Sequence, residues 1–232
     1  MHVVIIGAGI IGITTAVRIK QRWPSGLVTI FADKFSPDLT SDGAAGLFTP
    51  GFMDETPPEK LRIWSQVSHD YLLSIWKKGE SERTGVSLVL VHELFRHPVP
   101  LPAWKDAVFG FREMSEEEVR FYHEEHVYGW EFVTFTCEST RMISYYLEKW
   151  PDIKIFKRKI DSLDEITNAI GKNPPIDAIV NCAGLGARDI VNDRNLVPIR
   201  GQLVKVTAPW IQKALLLDEY PDQPQRCTYV IP

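Results

Sequence analysis

His2-Val-Val-Ile-Ile-Gly7-Ala-Gly9-Ile-Ile-Gly12 is the stretch that decides the fold. Val3 to Ile6 is a continuous, largely β-branched apolar run, the pattern of a central parallel strand covered on both faces. Gly7, Gly9 and Gly12 complete G-x-G-x-x-G, and from Ile10 to Arg22 the residues Ile13, Ala16, Val17 and Lys20 recur at helical spacing. Pro24-Ser-Gly26 stops that helix, and Leu27 to Phe31 reads as a second strand. Strand, turn, helix and strand make a βαβ unit with parallel strands and a right-handed crossover. In that setting Gly7 permits the tight turn, Gly9 lets backbone approach a pyrophosphate, and Gly12 allows close helix-strand packing. Ala8, Ile10 and Ile11 complete the turn and the helix start, whose N–H groups face the anion. Asp33, 21 residues past Gly12, stands where a carboxylate accepts hydrogen bonds from ribose hydroxyls, which disfavours a 2′-phosphate. NAD and FAD both satisfy these features, so an NAD-dependent dehydrogenase stays open at this point.

The 232 residues are 44% hydrophobic, enough for one large domain or two small ones. A net charge of -4 offers no basic field, so neither nucleic acid nor an anionic membrane is expected as partner, and the ligand should be a small molecule. Three cysteines without a C-x-x-C pair suggest neither a metal site nor a disulfide framework and fit a reducing compartment. The N-terminal apolar run is too short for a membrane span or secretory signal. From residue 51 to about 137 the pattern changes to alternating strands with isolated helices, which suggests a second domain. Trp64, Val67, Tyr71, Leu72 and Ile75 recur at helical spacing and read as scaffold, and Ser115-Glu-Glu-Glu118 has the form of a capping box. Glu131 to Thr136 reads as a strand, followed by a helix from Ser139 to Lys149 that Ser139 caps. Ile153 to Lys159 and Ile176 to Val180 read as strands of the first domain resumed, with Lys172-Asn-Pro-Pro175 a surface turn. The last residues, Tyr229-Val-Ile-Pro232, end directly after an apolar run, so a continuation is expected.

Asp33-Lys-Phe-Ser-Pro37 is followed by Thr40-Ser-Asp-Gly-Ala-Ala-Gly-Leu-Phe-Thr-Pro50. Together with Gly110-Phe-Arg112, Asn181-Cys-Ala-Gly184, Arg200-Gly-Gln202, Ala208-Pro-Trp210 and Tyr229-Val-Ile-Pro232, these blocks closely resemble the D-amino-acid oxidase and D-aspartate oxidase family. They stand in the family's order across essentially the whole chain. The resemblance implies FAD and an α/β fold: a Rossmann-like, doubly wound FAD-binding domain of residues 1–50 and 138–195, and a mixed-sheet α+β substrate domain of residues 51–137 and 196–232. The flavin is expected between the two.

Position by position, the resemblance adds Lys34 beside Asp33, and Thr40 and Ser41 at the diphosphate. It sets Ala45, Gly46 and Leu47 along the isoalloxazine, and Ile160 and Ala183 near the adenosine. Small residues suit a backbone that runs close to a flat ring. Arg200 reads equally as part of a structural ion-pair turn. The implied reaction moves hydride from the α-carbon of a D-amino acid to flavin; the imino acid hydrolyses to a 2-oxo acid and ammonia, and molecular oxygen is reduced to hydrogen peroxide. Positioning dominates such chemistry, so no acid-base dyad is expected. Tyr229 matches the tyrosine that donates to the substrate carboxylate, with Thr49 and Arg226 as further substrate residues. The arginine that clamps the same carboxylate lies in the family's later segment. Gln225 replaces a second active-site tyrosine, and Asn181-Cys-Ala-Gly-Leu-Gly-Ala-Arg188 looks nearer D-aspartate oxidase, which points to acidic D-amino acids. Arg226 reads as either a partner of a second substrate carboxylate or a solvated loop residue. An inactive truncated isoform is the alternative reading. Peroxisomal residence is usual in the family, and a homo-oligomer stays open.

Overall fold

A computed structural model of the chain describes residues 1–51, 55–170, 174–218 and 227–232. In chain order the strands and helices are β1 His2–Ile6, α1 Ile10–Arg22, β2 Leu27–Ala32, α2 Pro58–Lys77, α3 Ser81–Thr84, β3 Ser87–Phe95, β4 Phe109–Glu113, α4 Glu116–Tyr122 and β5 Tyr128–Thr136. There follow α5 Ser139–Lys149, β6 Lys154–Lys157, α6 Asp164–Ile170, β7 Ala178–Asn181, α7 Ala187–Ile190, β8 Lys213–Asp218 and β9 Cys227–Val230. Lys172 and Asn173 of the expected turn, and Gln225 and Arg226, lie outside the described residues. Among the described residues no helix is long and apolar enough to cross a membrane. The chain divides into two compact units, Met1–Ala44 with Glu138–Gln202, and Ala45–Cys137 with Leu203–Pro232.

The first unit is built on a four-stranded sheet in the order β6-β2-β1-β7, every pair parallel. All five residues of β1 are buried, as a strand flanked on both sides and covered on both faces requires. Val4, Ile6 and Phe31 pack on one face against Ile160 and the α6 residue Ile166. Strand alternation turns Ile5 and Ile30 to the opposite face. There α1, which buries Gly12, Ile13, Ala16 and Val17, packs beside α5. Ile5, Ile13, Val17 and Ile30 are fully buried, each contributing about 1.5–3 kcal/mol. Lys20, on the same buried stripe, fastens the turn after α1: its ammonium donates to the Pro24 and Gly26 carbonyls at 2.6 and 3.0 Å and pairs with Asp152. The expected cap of α5 differs, since Ser139 is already the first helical residue and Glu138 precedes it without a side-chain cap bond.

The second unit holds a mixed sheet in the order β4-β5-β3-β8-β9. β3 runs antiparallel to β5 and parallel to β8, and β9 returns antiparallel to β8. One face gathers Val89, Val91, Phe95, Trp104, Trp130, Phe132, Ala214 and Leu216. α4 starts on the expected capping box: Ser115 Oγ accepts from the Glu118 N–H at 3.2 Å, and Glu118 accepts from the Ser115 N–H at 2.7 Å. Arg112 ties that box to the sheet by pairing with both Glu118 and Glu131.

α2 departs from the expected packing. Its buried residues are Ser65, His69 and Ile75, whereas Trp64 and Val67 face outward. The reason is the ring cluster around His69, whose imidazole sits 4.8, 4.9 and 5.7 Å from the rings of Phe109, Phe135 and Phe48. A neutral imidazole in that cage packs as an aromatic body, although by type histidine counts as polar.

His69, His92 and His126 are all buried, and burial is the first cause holding each ring below its ordinary pKa. The unfolded rings titrate near 6.5 and the folded ones lower. Stability is therefore retained above about pH 6.5 and lost as pH falls from there through the folded values, because the unfolded chain then binds more protons. The thermal midpoint should drop between pH 7 and pH 5.5, and His69→Phe should remove part of that drop. Equal pH slopes for the two proteins would show that His69 is not one of the groups responsible.

Candidate cofactor site

The C-terminal ends of the parallel strands open on a cleft of about 460 Å³ in the first unit. Eleven residues expected from the sequence line it: Gly7, Ala8, Gly9, Ile10, Ile11, Asp33, Lys34, Thr40, Ser41, Ile160 and Ala183. Gly12, the third residue of α1, is buried and not part of the lining.

The three glycines serve different ends. Gly7 has φ +105°, and a Cβ there would strike the Cys182 carbonyl oxygen. A Cβ on Gly12 would strike the Gly7 carbonyl oxygen. Both glycines are thus demanded by the fold, where β1 and β7 converge on the start of α1. Gly9 differs: it is the N-cap in ordinary extended geometry, and its Cβ would meet only the Ser41 hydroxyl oxygen, at 3.2 Å. A glycine there leaves the helix N-terminus open to close approach.

Ser41 is held at that terminus. Its Oγ accepts from the Ile10 N–H at 3.1 Å, taking one of the donors that the helix leaves unpaired. The turn Thr40–Gly43 that carries it is fastened by Asp42, which accepts from Ser36 Oγ at 2.7 Å, the Leu39 N–H at 2.9 Å and Thr140 Oγ1 at 2.8 Å. Asp33 follows β2 directly and is exposed to the cleft. Ile160, Ala183 and Ile190 add an apolar wall. A positive helix end, a carboxylate at the second strand and an apolar wall match, in that order, a diphosphate, a ribose and an adenine.

Sequence reasoning passed over Arg158, Lys159 and Asp161, which also line the cleft. No local pattern marks them: they reach the cleft because β6 pairs parallel to β2, so its C-terminal end meets the same edge of the sheet. Asp161 pairs with Lys159 and raises its pKa, with Asp189 and Asp33 adding smaller contributions.

The remaining expected residues belong to the second unit. Ala45 is exposed, and the carbonyl of Gly46, at φ +74°, accepts from the Cys137 N–H at 2.8 Å. Leu47 packs on the sheet's aromatic face, and the Thr49 N–H donates to the Leu47 carbonyl at 3.1 Å. Tyr229, 37% exposed on β9, pairs with Leu216, which pairs with Glu93, which pairs with Trp130. Cross-strand partners share a face, so Tyr229 and Glu93 stand in one row, two strands apart. Arg226 lies outside the described residues. Burial, then the charge of Asp218, raises the Glu93 carboxyl to about 7.

The fold of the first unit is that of the doubly wound, Rossmann-like α/β class. The chain belongs to the family of FAD dependent oxidoreductases designated DAO, whose match runs over residues 2–232. It is 35% identical over 220 residues to a D-aspartate oxidase of Homo sapiens, covering 91% of this chain and 61% of that protein. It is 32% identical over 215 residues to a D-amino acid oxidase of Dugesia ryukyuensis, covering 91% of this chain and 63% of that protein. The chain spans about three fifths of the length of these relatives. Glycine oxidase from Geobacillus kaustophilus shares the fold, with a TM-score of 0.60 at 15% identity over 98% of this chain and 71% of that one.

Two outcomes follow. Gly9→Val, which displaces the Ser41 hydroxyl and not backbone, should lower the melting temperature less than Gly12→Ala yet lose FAD in an equilibrium titration; stoichiometric FAD in Gly9→Val would remove the site assignment. Glu93→Gln should gain stability relative to the parent as pH rises through 7, since the raised carboxyl contributes below about 4.5 and loses that contribution as it ionises. The full difference is about 3 kcal/mol in denaturant unfolding at pH 8, and a flat difference from pH 5 to pH 8 would contradict the burial of Glu93.

Proposed function

We propose that the chain is the cofactor-binding and substrate-reading part of an FAD-dependent oxidase that deaminates D-amino acids, acidic ones foremost, to 2-oxo acid, ammonia and hydrogen peroxide. The observation that carries this reading is Gly9, where a side chain would meet no backbone but only the Ser41 hydroxyl, and which stands at the helix N-terminus. Membership of an FAD dependent family supports FAD over NAD, and the 35% identity to a D-aspartate oxidase supports acidic substrates.

Bound FAD would supply the hydride acceptor for oxidation of the α-carbon, with oxygen as the final oxidant. The chain's own residues bind and orient. Gly7 sets the turn, and Gly9 with the N–H groups of α1 beyond Ile10 receives the diphosphate, with Thr40 and Ser41 closing on it. Asp33 accepts from the ribose hydroxyls, and Ile160 and Ala183 cover the adenine. Ala45, Gly46 and Leu47 provide the backbone that borders the isoalloxazine. The Tyr229 hydroxyl donates to the substrate carboxylate, so that the α-carbon is fixed and its hydrogen directed, which is where positioning lowers the barrier.

The test is an absorption spectrum of the purified chain with FAD, recorded anaerobically before and after D-aspartate and, separately, D-alanine. Bleaching of the flavin bands by D-aspartate, with little by D-alanine, is the expected outcome. Bleaching by D-alanine alone would replace acidic with neutral substrates, and failure to take up FAD would overturn the reading for this chain. Tyr229→Phe should raise KM for the amino acid about tenfold through loss of one hydrogen bond to a charged group.

A further inference from the structure

α2 turns an apolar seam outward. Ile63, Trp64 and Val67 are 46%, 55% and 61% exposed, although the same helix buries Ser65 and His69. Positions 60, 63, 67, 70 and 74 recur at alternating steps of three and four, the spacing of a coiled-coil seam, and Trp64 and Tyr71 flank it. The seam is apolar at its centre and charged at its ends, with exposed Lys60 on one side and exposed Asp70 on the other. Asp70 also accepts from Gln66 Nε2 at 2.9 Å, which holds its carboxylate beside the seam.

That charge order indicates what covers the seam. Lys60 and Asp70 are equidistant from residue 65 and lie about 15 Å apart along the helix. A two-fold axis at residue 65, with helices antiparallel, sets Lys60 against Asp70 of a second copy and Ile63 against Val67 of that copy. The Lys60–Asp70 ion pair forms twice, and four aliphatic side chains meet between the two pairs with a Trp64 at each border. A parallel arrangement would instead oppose Lys60 to Lys60 and Asp70 to Asp70. The seam is thus self-complementary in one orientation only, which is the requirement of an isologous interface.

We infer that α2 is a self-association surface that receives α2 of a second copy of this chain in antiparallel register. One helix pair buries less than a standard interface of roughly 800 Å² per partner, so the dimer should be weak and exchange with monomer at roughly micromolar concentration. The inference is independent of the proposed activity, because no residue of the seam is among those assigned to FAD or substrate.

Sedimentation velocity over a concentration series, on the FAD-loaded chain, tests it. The parent protein should pass from monomer to dimer as concentration rises. Lys60→Asp and Asp70→Lys should each weaken dimerisation at least fivefold, the double variant Lys60→Asp/Asp70→Lys should return it to within about twofold of the parent, and Val67→Glu should leave only monomer. These positions are exposed, and unchanged melting curves will show that the variants fold. A parent that stays monomeric at millimolar concentration overturns the inference, as does a dimer that Val67→Glu and both single charge reversals leave unmoved.

Discussion

The steric conflict at the end of β1 governs the first unit. The chain leaves β1, turns and enters α1 while β7 passes alongside, so the Gly7 amide reaches the Phe31 carbonyl at 2.8 Å and the Cys182 amide reaches the Ile6 carbonyl at 2.8 Å. No room is left for a side chain at Gly7 or Gly12. From that crowding follow the direction of α1, the exposure of its first amides and the cleft they face. On the reading proposed above, anion recognition and the closure of the fold would be two results of one tight turn, with Gly9 meeting only a side chain where Gly7 and Gly12 meet backbone.

Much of the first unit is legible in the sequence because its signals are local and strong. β1 is an unbroken apolar run, α1 has its stripe at 3.6-residue spacing, and Pro24-Ser-Gly26 marks the stop. The role of Lys20 as the tie between α1 and the turn after it is not legible, since a lysine on a buried stripe acquires meaning only when the Pro24 and Gly26 carbonyls fold back toward it. Arg158 and Lys159 were hidden for a similar reason. Their place in the cleft depends on β6 joining the sheet beside β2, a pairing between segments more than a hundred residues apart.

The second unit is less legible, because its order β4-β5-β3-β8-β9 depends on long-range pairing that alternation alone does not specify. α2 shows how a hydropathy pattern misdirects. Trp64 and Val67 are the apolar choice for an inward face, yet the inward face is the one that holds His69 among three phenylalanine rings. A ring that remains neutral at physiological pH is, for packing purposes, another aromatic. The capping box at Ser115, by contrast, was readable at once, because it requires only residues three apart.

The first unit is closed by a strand that arrives late. The β1 residue His2 bonds to Asp177, 175 residues further along, and between them the chain builds most of the second unit. At synthesis rates of roughly 5–20 residues per second, an emerging chain waits on the order of ten seconds or more with β1 bonded on one side only. During that interval a flat apolar strand presents an open edge of the kind that recruits other strands. The discontinuous layout therefore leaves that strand edge open for as long as the intervening segment takes to be made.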